Sequence, residues 1–476
     1  MLVIMTPQGM TNPTEIAEHL ANYAHSLGKP VLASWMGGES VAEGDDLLNQ
    51  AGMPSYAYPD TAVKVFNYMW QYSEALAGLY ETPEAATAAN GYDRATANKL
   101  IATVQAEGRT ILTEYESKKL LAAYGIATTP TEIAETEAEA VAWADKMGYP
   151  IVLKLHSLTI THKTDVGGVV LNLRDAAAVK AAFAQIKASV TEKVGAQHFQ
   201  GVTVQPMAKL DGYELILGAS VDIQFGPVLL FGSGGQLVEV YGDKALGLPP
   251  LNTTLARRMM EKTKIYTALK GVRGRASVDM AALEGLLVRF SELIVENPRI
   301  AELDINPLLA SPERLLALDA RIVLHPAEIK DADLPKPAIR PYPVQYVGDW
   351  TSAKGETFTI RPVRPEDEPK AYAFHHTLSE QTVRQRHMGP VELEERIAHR
   401  RLTQLCFIDY DREMALVAMK PGAAGKEEMV AVARLSKISG SNDAELNVVI
   451  SDAAQRQGLG REITERLIAI ARAEKI

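Results

Sequence analysis

The sequence predicts a multidomain α/β chain in three parts, on three observations. Strand and helix signals alternate through the first ninety residues, which dictates a parallel sheet. A long central stretch strings short apolar strands between Gly-rich loops, with lysine, asparagine and aspartate placed at the strand ends. Five prolines, Pro326, Pro335, Pro337, Pro341 and Pro343, then precede a last part whose strands form a meander. At 476 residues the chain is long enough for about three domains.

Composition narrows the class. Hydrophobic residues make up 47% and charged residues 23%, which describes a globular protein with ample core. A net charge of −10 and a pI near 5.6 argue against a general nucleic-acid binder, because no pervasive basic field is available for phosphates. The single cysteine, Cys406, excludes disulfides and cysteine-based metal sites, and its apolar surroundings read as a small buried hydrophobe. No apolar run approaches the ~18 residues of a membrane span, and no charged leader with an apolar core opens the chain. A cytoplasmic protein without membrane or nucleic-acid partners is expected; homo-oligomer formation is left open.

In order, Leu2–Met5 reads as a strand, Asn12-Pro13 as a cap with proline at the first helical position, and the helix as running to Leu27. Strand Val31–Trp35, helix Val41–Ala51, strand Ser55–Tyr58 and a helix from Asp60 to Leu79 follow. Gly37-Gly38-Glu39 reads as a glycine turn capping a helix. Three strands are fewer than a doubly wound domain normally has, so residues 1–90 read as part of a larger domain. Residues 80–108 read as a helical or loose linker, and Glu114–Tyr124 as a helix on which Glu114 and Lys118 form a solvated pair.

The central part carries the chemistry. Pro150–Leu155 is a buried-type strand with one lysine, Lys154, whose cation needs an anionic partner that a phosphate would provide. His162-Lys163-Thr164-Asp165-Val166-Gly167-Gly168 is a basic, then Gly-rich loop whose amides suit a triphosphate. Val202–Met207 is a strand ending at a hinge. Glu302-Leu-Asp-Ile-Asn306-Pro307 precedes Asp319, thirteen positions after Asn306. Runs Ile300–Ile305 and Leu315–Leu318 read as adjacent antiparallel strands joined by a Leu308–Arg314 hairpin loop, which brings Asn306 and Asp319 together as hard oxygen ligands for magnesium.

These motifs, in this order from Thr110 to Leu324, resemble an ATP-grasp domain of the nucleoside-diphosphate-forming acyl-CoA synthetases, relatives of succinyl-CoA synthetase. The resemblance implies that Lys154 contacts ATP phosphates, that Gln205 to Met207 line the adenine, and that Asn306 and Asp319 hold Mg2+. It also implies that His162 carries phosphate on a swinging loop, and that residues 1–90 are part of a flavodoxin-like CoA-ligase domain in which Gly37-Gly38-Glu39 sits at a loop-to-helix junction near the active site. Arg273, between Gly271 and Gly274, reads as a phosphate or acyl contact or as a surface turn.

The expected domains are thus 1–90, an ATP-grasp domain at 105–328, a Pro-rich linker at 329–350 and a last domain at 351–476. In the last, Phe358-Thr-Ile-Arg-Pro-Val-Arg-Pro-Glu-Asp reads as a strand turning into a helix, Glu392–Arg401 as a helix, and Gln404–Tyr410, Met414–Met419 and Met429–Ser436 as strands. Strand Ala444–Ser451 runs into Gln455-Arg456-Gln457-Gly458-Leu459-Gly460 and a helix with Leu459, Ile463, Leu467 and Ile470 on one face. A strand, a Gln/Arg-x-x-Gly-x-Gly loop and a helix start form an anion site. Here the chain resembles the acetyl-CoA pyrophosphate loop of GNAT acetyltransferases, an α+β fold, and the resemblance makes Glu445 the general base. By the family pattern the chain reads as cut at both ends.

The combination resembles the bacterial protein lysine acetyltransferases, which implies acetyl transfer from acetyl-CoA to lysines of proteins such as acyl-CoA synthetases. A second reading is a working ADP-forming acyl-CoA ligase that uses ATP and CoA through phosphohistidine. A third is a fragment that only binds nucleotide and CoA.

Overall fold

The computed structural model describes residues 1–476 except 25–27, 83–90, 161–162, 210, 236–241, 273, 275, 423–425, 439, 441–442 and 475–476. Two compact units divide the chain, Met1–Glu81 and Thr82–Ile476.

In the first unit β1 (Leu2–Met5), β2 (Leu32–Trp35) and β3 (Ser55–Tyr56) form a parallel sheet with β2 in the centre. All four residues of β2 are buried, as a strand paired on both edges and covered by helices requires. The helices are α1 (Pro13–Ala21), α2 (Ala42–Gln50) and α3 (Pro59–Leu79). Asn12 caps α1 by accepting from the amides of Thr14 and Glu15. The helix ends at Ala21, short of the expected Leu27, because the Asn22 amide turns back onto the carbonyls of Glu18 and His19. Gly37-Gly38-Glu39 enters a 3-10 turn, Gly38–Val41, that leads into α2.

The second unit contains three sheets. The expected linker at 80–108 is in part a structural helix, α4 (Arg94–Ala106). It buries Ala97, Ile101 and Val104, and Arg94 reaches Glu296 through two hydrogen bonds of 2.8 Å. Next come α5 (Glu114–Ala123), β4 (Glu132–Ala134), α6 (Glu137–Met147), β5 (Ile151–Leu155), β6 (Val169–Leu173), α7 (Ala176–Lys193) and β7 (Val202–Pro206). Strands β4-β7-β5-β6 make an antiparallel sheet over a core that includes Ile151, Leu153, Phe183 and Ile186.

A larger sheet follows, built from β8 (Tyr213–Asp222), β9 (Gly226–Ser233), β10 (Lys244–Gly247), β11 (Ile300–Ala310) and β12 (Leu315–Ala317) in the order β10-β9-β8-β11-β12. A further strand, β13 (Ala320–Leu324), also pairs with β11. Helix α8 (Met280–Glu296) supplies Leu283, Leu287, Phe290 and Leu293 to its core.

The segment from His325 to Trp350 is not a bare spacer. Leu334 and Tyr342 are buried, the Tyr342 hydroxyl donates to the carbonyl of Pro362 at 2.8 Å, and Ala338 N–H donates to Phe225 O at 3.2 Å. Prolines forbid a ladder, yet extended backbone still docks by side chains and isolated hydrogen bonds. Gly226, at φ +65°, lies against this segment, and a Cβ there would fall 2.0 Å from Lys336 O. Gly226→Ala is expected to cost about 2–4 kcal/mol from left-handed backbone and overpacking. A urea unfolding midpoint equal to that of the parent would refute this.

The third sheet is an antiparallel meander of β14 (Gly348–Thr351), β15 (Thr357–Pro362), β16 (Glu413–Pro421), β17 (Glu427–Lys437) and β18 (Ala444–Ile450). Helices α9 (Glu368–His376), α10 (Glu380–His387), α11 (Leu393–Arg396) and α12 (His399–Cys406) join β15 to β16, and α13 (Leu459–Glu474) follows β18. The strand expected over Gln404–Tyr410 is instead the end of α12 and a turn: Leu402 and Cys406, four apart, face the core, whereas strand alternation would expose one side of the run. Cys406 is fully buried, and burial pushes its thiol up to about 12. On α13, Leu459, Ile463, Leu467 and Ile470 are all buried.

Candidate active site

A cavity of about 200 Å3 opens where four pieces of the second unit converge. They are Thr113 and Glu114 at the start of α5, Ser157 and Lys163 beyond β5, Asp304 and Asn306 on β11, and Asp319 between β12 and β13.

The start of α5 is held by a capping box. Thr113 Oγ1 accepts from Glu116 N–H at 3.2 Å while the Glu116 carboxylate accepts from Thr113 N–H at 2.7 Å, and Arg109 grips the same carboxylate. That lock presents Glu114 to the interior, where its side chain is only 3% exposed. Lys154 Nζ donates to Glu114 Oε1 at 2.8 Å, Lys118 Nζ lies 2.9 Å from the same oxygen, Gln205 Nε2 donates to it at 2.7 Å, and Lys163 pairs with Oε2. Asp319 lies 3.9 Å from Lys154. Three ammoniums thus share one buried carboxylate and one half-exposed one.

Burial alone would raise the Glu114 carboxyl; the ammoniums of Lys154, Lys163 and Lys118 outweigh it and hold it well below the usual carboxylate range. Burial pushes Lys118 down to about 8 despite Glu114. Burial also opposes the charge on Lys154, but Glu114 and Asp319 raise that group. The buried partner foreseen for Lys154 is therefore in the first place a carboxylate of the protein. The pair Glu114/Lys118, read from sequence as a solvated surface pair, is instead the buried centre of the network.

On β11, Leu303 and Ile305 point into the core, so Glu302, Asp304 and Asn306 share the opposite face. Ile300–Ile305 pairs with β13, and Leu308–Ala310 pairs with β12. The expected pairing of Ile300–Ile305 with Leu315–Leu318 was out of register, because the chain breaks at Leu318-Asp319 and starts a second strand. Ile305 faces Ala320, so continuing that register sets Asn306 opposite Asp319. Asn306 is oriented by Gly235, whose N–H donates to Oδ1 at 3.1 Å. Gly235 has φ +84°, and a Cβ there would lie 2.0 Å from Glu214 Oε2, so only glycine lets the backbone approach.

Asp304 was not foreseen, although the period-two pattern of Glu302-Leu-Asp-Ile-Asn306 carries the signal. Burial and the nearby Asp319 push its carboxyl up to about 6. Among the described residues no group of three or more His, Cys, Asp or Glu is arranged to hold a metal. Two carboxylates and an amide oxygen suit a cation that takes the rest of its shell from phosphates and water, as magnesium does.

Of the other expected site residues, His162 and Arg273 lie outside the described residues. Gln205 is 3% exposed with both polar ends engaged: Oε1 accepts from Lys118 at 3.0 Å and Nε2 donates to Glu114. Met207 is half-buried beyond β7, its N–H donating to Pro150 O at 2.8 Å. In the third-sheet region Glu445 is exposed on β18 and accepts from Asn447 Nδ2 at 2.8 Å. Gln455 donates to Thr382 and to the Ile450 carbonyl, Arg456 and Gly458 have φ +57° and +93°, Gln457 is buried, and Leu459 and Gly460 open α13.

The family described as an ATP-grasp domain matches residues 103–324. The β subunit of the ADP-forming acetate–CoA ligase I of Pyrococcus furiosus is 37% identical over 230 residues, 48% of this chain and 98% of that subunit. The chain belongs to the ADP-forming acetate–CoA ligase family. A single-chain ADP-forming acetate–CoA ligase I of Archaeoglobus fulgidus is 34% identical over 324 residues, 68% of this chain and 46% of the relative. The chain therefore spans less than half the length of that ligase. A solved dinucleotide-forming acetyl-coenzyme A synthetase 1 of Ca. Korarchaeum cryptofilum, with coenzyme A and Ca-AMPCP, is 39% identical over 48% of this chain and 100% of that one, at a TM-score of 0.46.

Membership of the ADP-forming ligase family overturns the expected protein lysine acetyltransferase, since the curated relatives are ADP-forming CoA ligases. A GNAT domain from S. lividans matches over 28% of this chain and 77% of that one at 22% identity and a TM-score of 0.25. The ligase relatives give no support to a GNAT domain, to acetyl-CoA as a cofactor or to lysine-bearing protein substrates. The acetyltransferase function rested on a local pattern: a strand, a glycine turn and a helix recur wherever a chain reverses onto a sheet, and the pattern alone does not name a ligand. Among the described residues no helix is long and apolar enough to cross a membrane.

Proposed function

We propose that the cleft binds Mg·ATP and serves an ADP-forming acyl-CoA ligase, in which a carboxylic acid, CoA and ATP give acyl-CoA, ADP and phosphate. The observation that carries the reading is the set of three lysines gathered on buried Glu114, beside a cavity that Glu114 and Lys163 line together with Asp304, Asn306 and Asp319. The lysines suit the phosphate oxygens of ATP, and the oxygen donors suit its magnesium. The curated relatives' ADP-forming ligase activities support the same reading.

In this reading Lys154 and Lys163 leave Glu114 in part to meet phosphate oxygens, while Lys118 and Gln205 keep the carboxylate from being stranded in the interior. Asn306 and Asp319 would hold Mg2+, which supplies charge neutralisation at the phosphates. Asp304, protonated more readily than an ordinary carboxyl, ionises fully once a cation is near. His162 would accept the terminal phosphoryl: its imidazole nitrogen attacks phosphorus, the bond to the β-phosphate oxygen breaks, and ADP leaves with that electron pair.

Incubation of the chain with γ-labelled ATP and magnesium is expected to give an acid-labile, base-stable phosphoprotein, absent in His162→Ala. Label retained in that variant would remove His162 from the reaction. No label in the parent, with no ADP released when CoA and an acid are added, would remove the catalytic reading altogether.

A further inference from the structure

A second cavity, of about 220 Å3, lies in the third-sheet region among α9, α10, α12, β17 and β18. One part of its wall is apolar: Phe374, Leu378, Val383, Leu405 and Val449. Another is basic, with Arg386, Arg401 and Arg434 beside His375 and His387.

The three guanidiniums are not equivalent. Arg434 is engaged by Glu413 and by the Gln404 carbonyl at 3.2 Å, and Arg401 lies 3.3 Å from Glu395. Arg386 is half-buried, and among the described residues no hydrogen bond or ion pair engages it. Burial pushes its guanidinium down, and the opposite charge that acts on it is the exposed Glu445. The same field acts on the histidines: burial and the neighbouring arginines lower both, His375 to about 4. A half-buried planar cation with its fork free, beside an apolar wall, is complementary to a carboxylate on a small hydrocarbon body.

We propose that this cavity binds a small carboxylic acid, its carboxylate on Arg386 and its apolar end against Phe374, Leu378 and Val449. The volume is roughly that of seven waters, which suits an acid of about four to seven carbons. The site is independent of the ATP-grasp cleft and of the ligase reading.

Calorimetric titration of the full chain with butyrate and benzoate tests it, with butyramide and inorganic phosphate as comparison probes. At least one acid is expected to bind. Arg386→Met should weaken that acid about tenfold or more, the worth of a charge-assisted hydrogen bond, while Arg386→Lys stays within about threefold through its retained charge. Leu378→Trp, which fills the cavity, should abolish binding, and Asn306→Ala/Asp319→Ala should leave it unchanged. Without acid, Arg386→Met should melt no lower than the parent, because burial, Arg401 and Arg434 disfavour that cation more than Glu445 favours it. The proposal is overturned if neither acid binds, if butyramide or phosphate binds as tightly, if Arg386→Met leaves affinity intact, or if that variant melts lower. Loss of binding in Asn306→Ala/Asp319→Ala would instead put the acid in the nucleotide cleft and overturn it equally.

Discussion

Glu114→Ala is expected to lower the stability of the second unit by about 3–5 kcal/mol, the cost of stripping a buried ion network of its only fully buried anion. Lys118, itself 3% exposed, would have to lose its proton or its place, and Gln205 would lose an acceptor. Nucleotide affinity should fall as well, because Lys154 and Lys163 are aimed by that carboxylate. Thermal melting with and without Mg·ATP reads both. A melting temperature within error of the parent would show that the lysines do not depend on Glu114. The sign with pH follows from its carboxyl being held below the ordinary value: the stability is fully present above the ordinary carboxylate range and is lost as pH falls through the depressed folded value. Glu114→Gln should remove that part of the acid dependence.

Asn306→Ala combined with Asp319→Ala is expected to abolish Mg·ATP binding, a loss on the order of 100-fold or more if each oxygen contact to the charged cation is worth about 1.5–3 kcal/mol. Folding should survive, since Asp319 is 46% exposed and the core side of β11 is untouched. Calorimetry with ATP and magnesium, compared with ATP in EDTA, checks it: the parent should show a magnesium-dependent gain that the variant lacks. Equal affinity in parent and variant would take the metal away from these two residues.

The elements with strong local signals were legible in the sequence. Asn12-Pro13, the helical run Glu114–Tyr124 and the apolar face Leu459, Ile463, Leu467 and Ile470 each describe a structure made by residues near one another in the chain, and the helices they predict are present. The juxtaposition of Asn306 and Asp319 was legible too, although through the wrong strand pairing. What failed was ambiguous or non-local. Leu405-Cys-Phe-Ile408 is an apolar run too short for its period to separate strand from helix, and packing of Leu402 and Cys406 decided for helix. The five prolines signalled an extended segment but not that Tyr342 and Leu334 would be buried.

By itself, then, the sequence determined the alternation of strands and helices in the first unit, the lysine in β5 and the nearness of Asn306 to Asp319, because spacing along a strand sets which side chains share a face. Only the tertiary structure decided that Glu114 and Lys118 lie inside. A pair four residues apart on a helix looks the same in sequence whether it faces water or a cleft, and here β5, β7 and the loop bearing Lys163 close over it. Charge separated by forty residues or more along the chain becomes one network only when those strands pack, and that packing turns a surface-like Glu/Lys pair into the centre of a buried ion network.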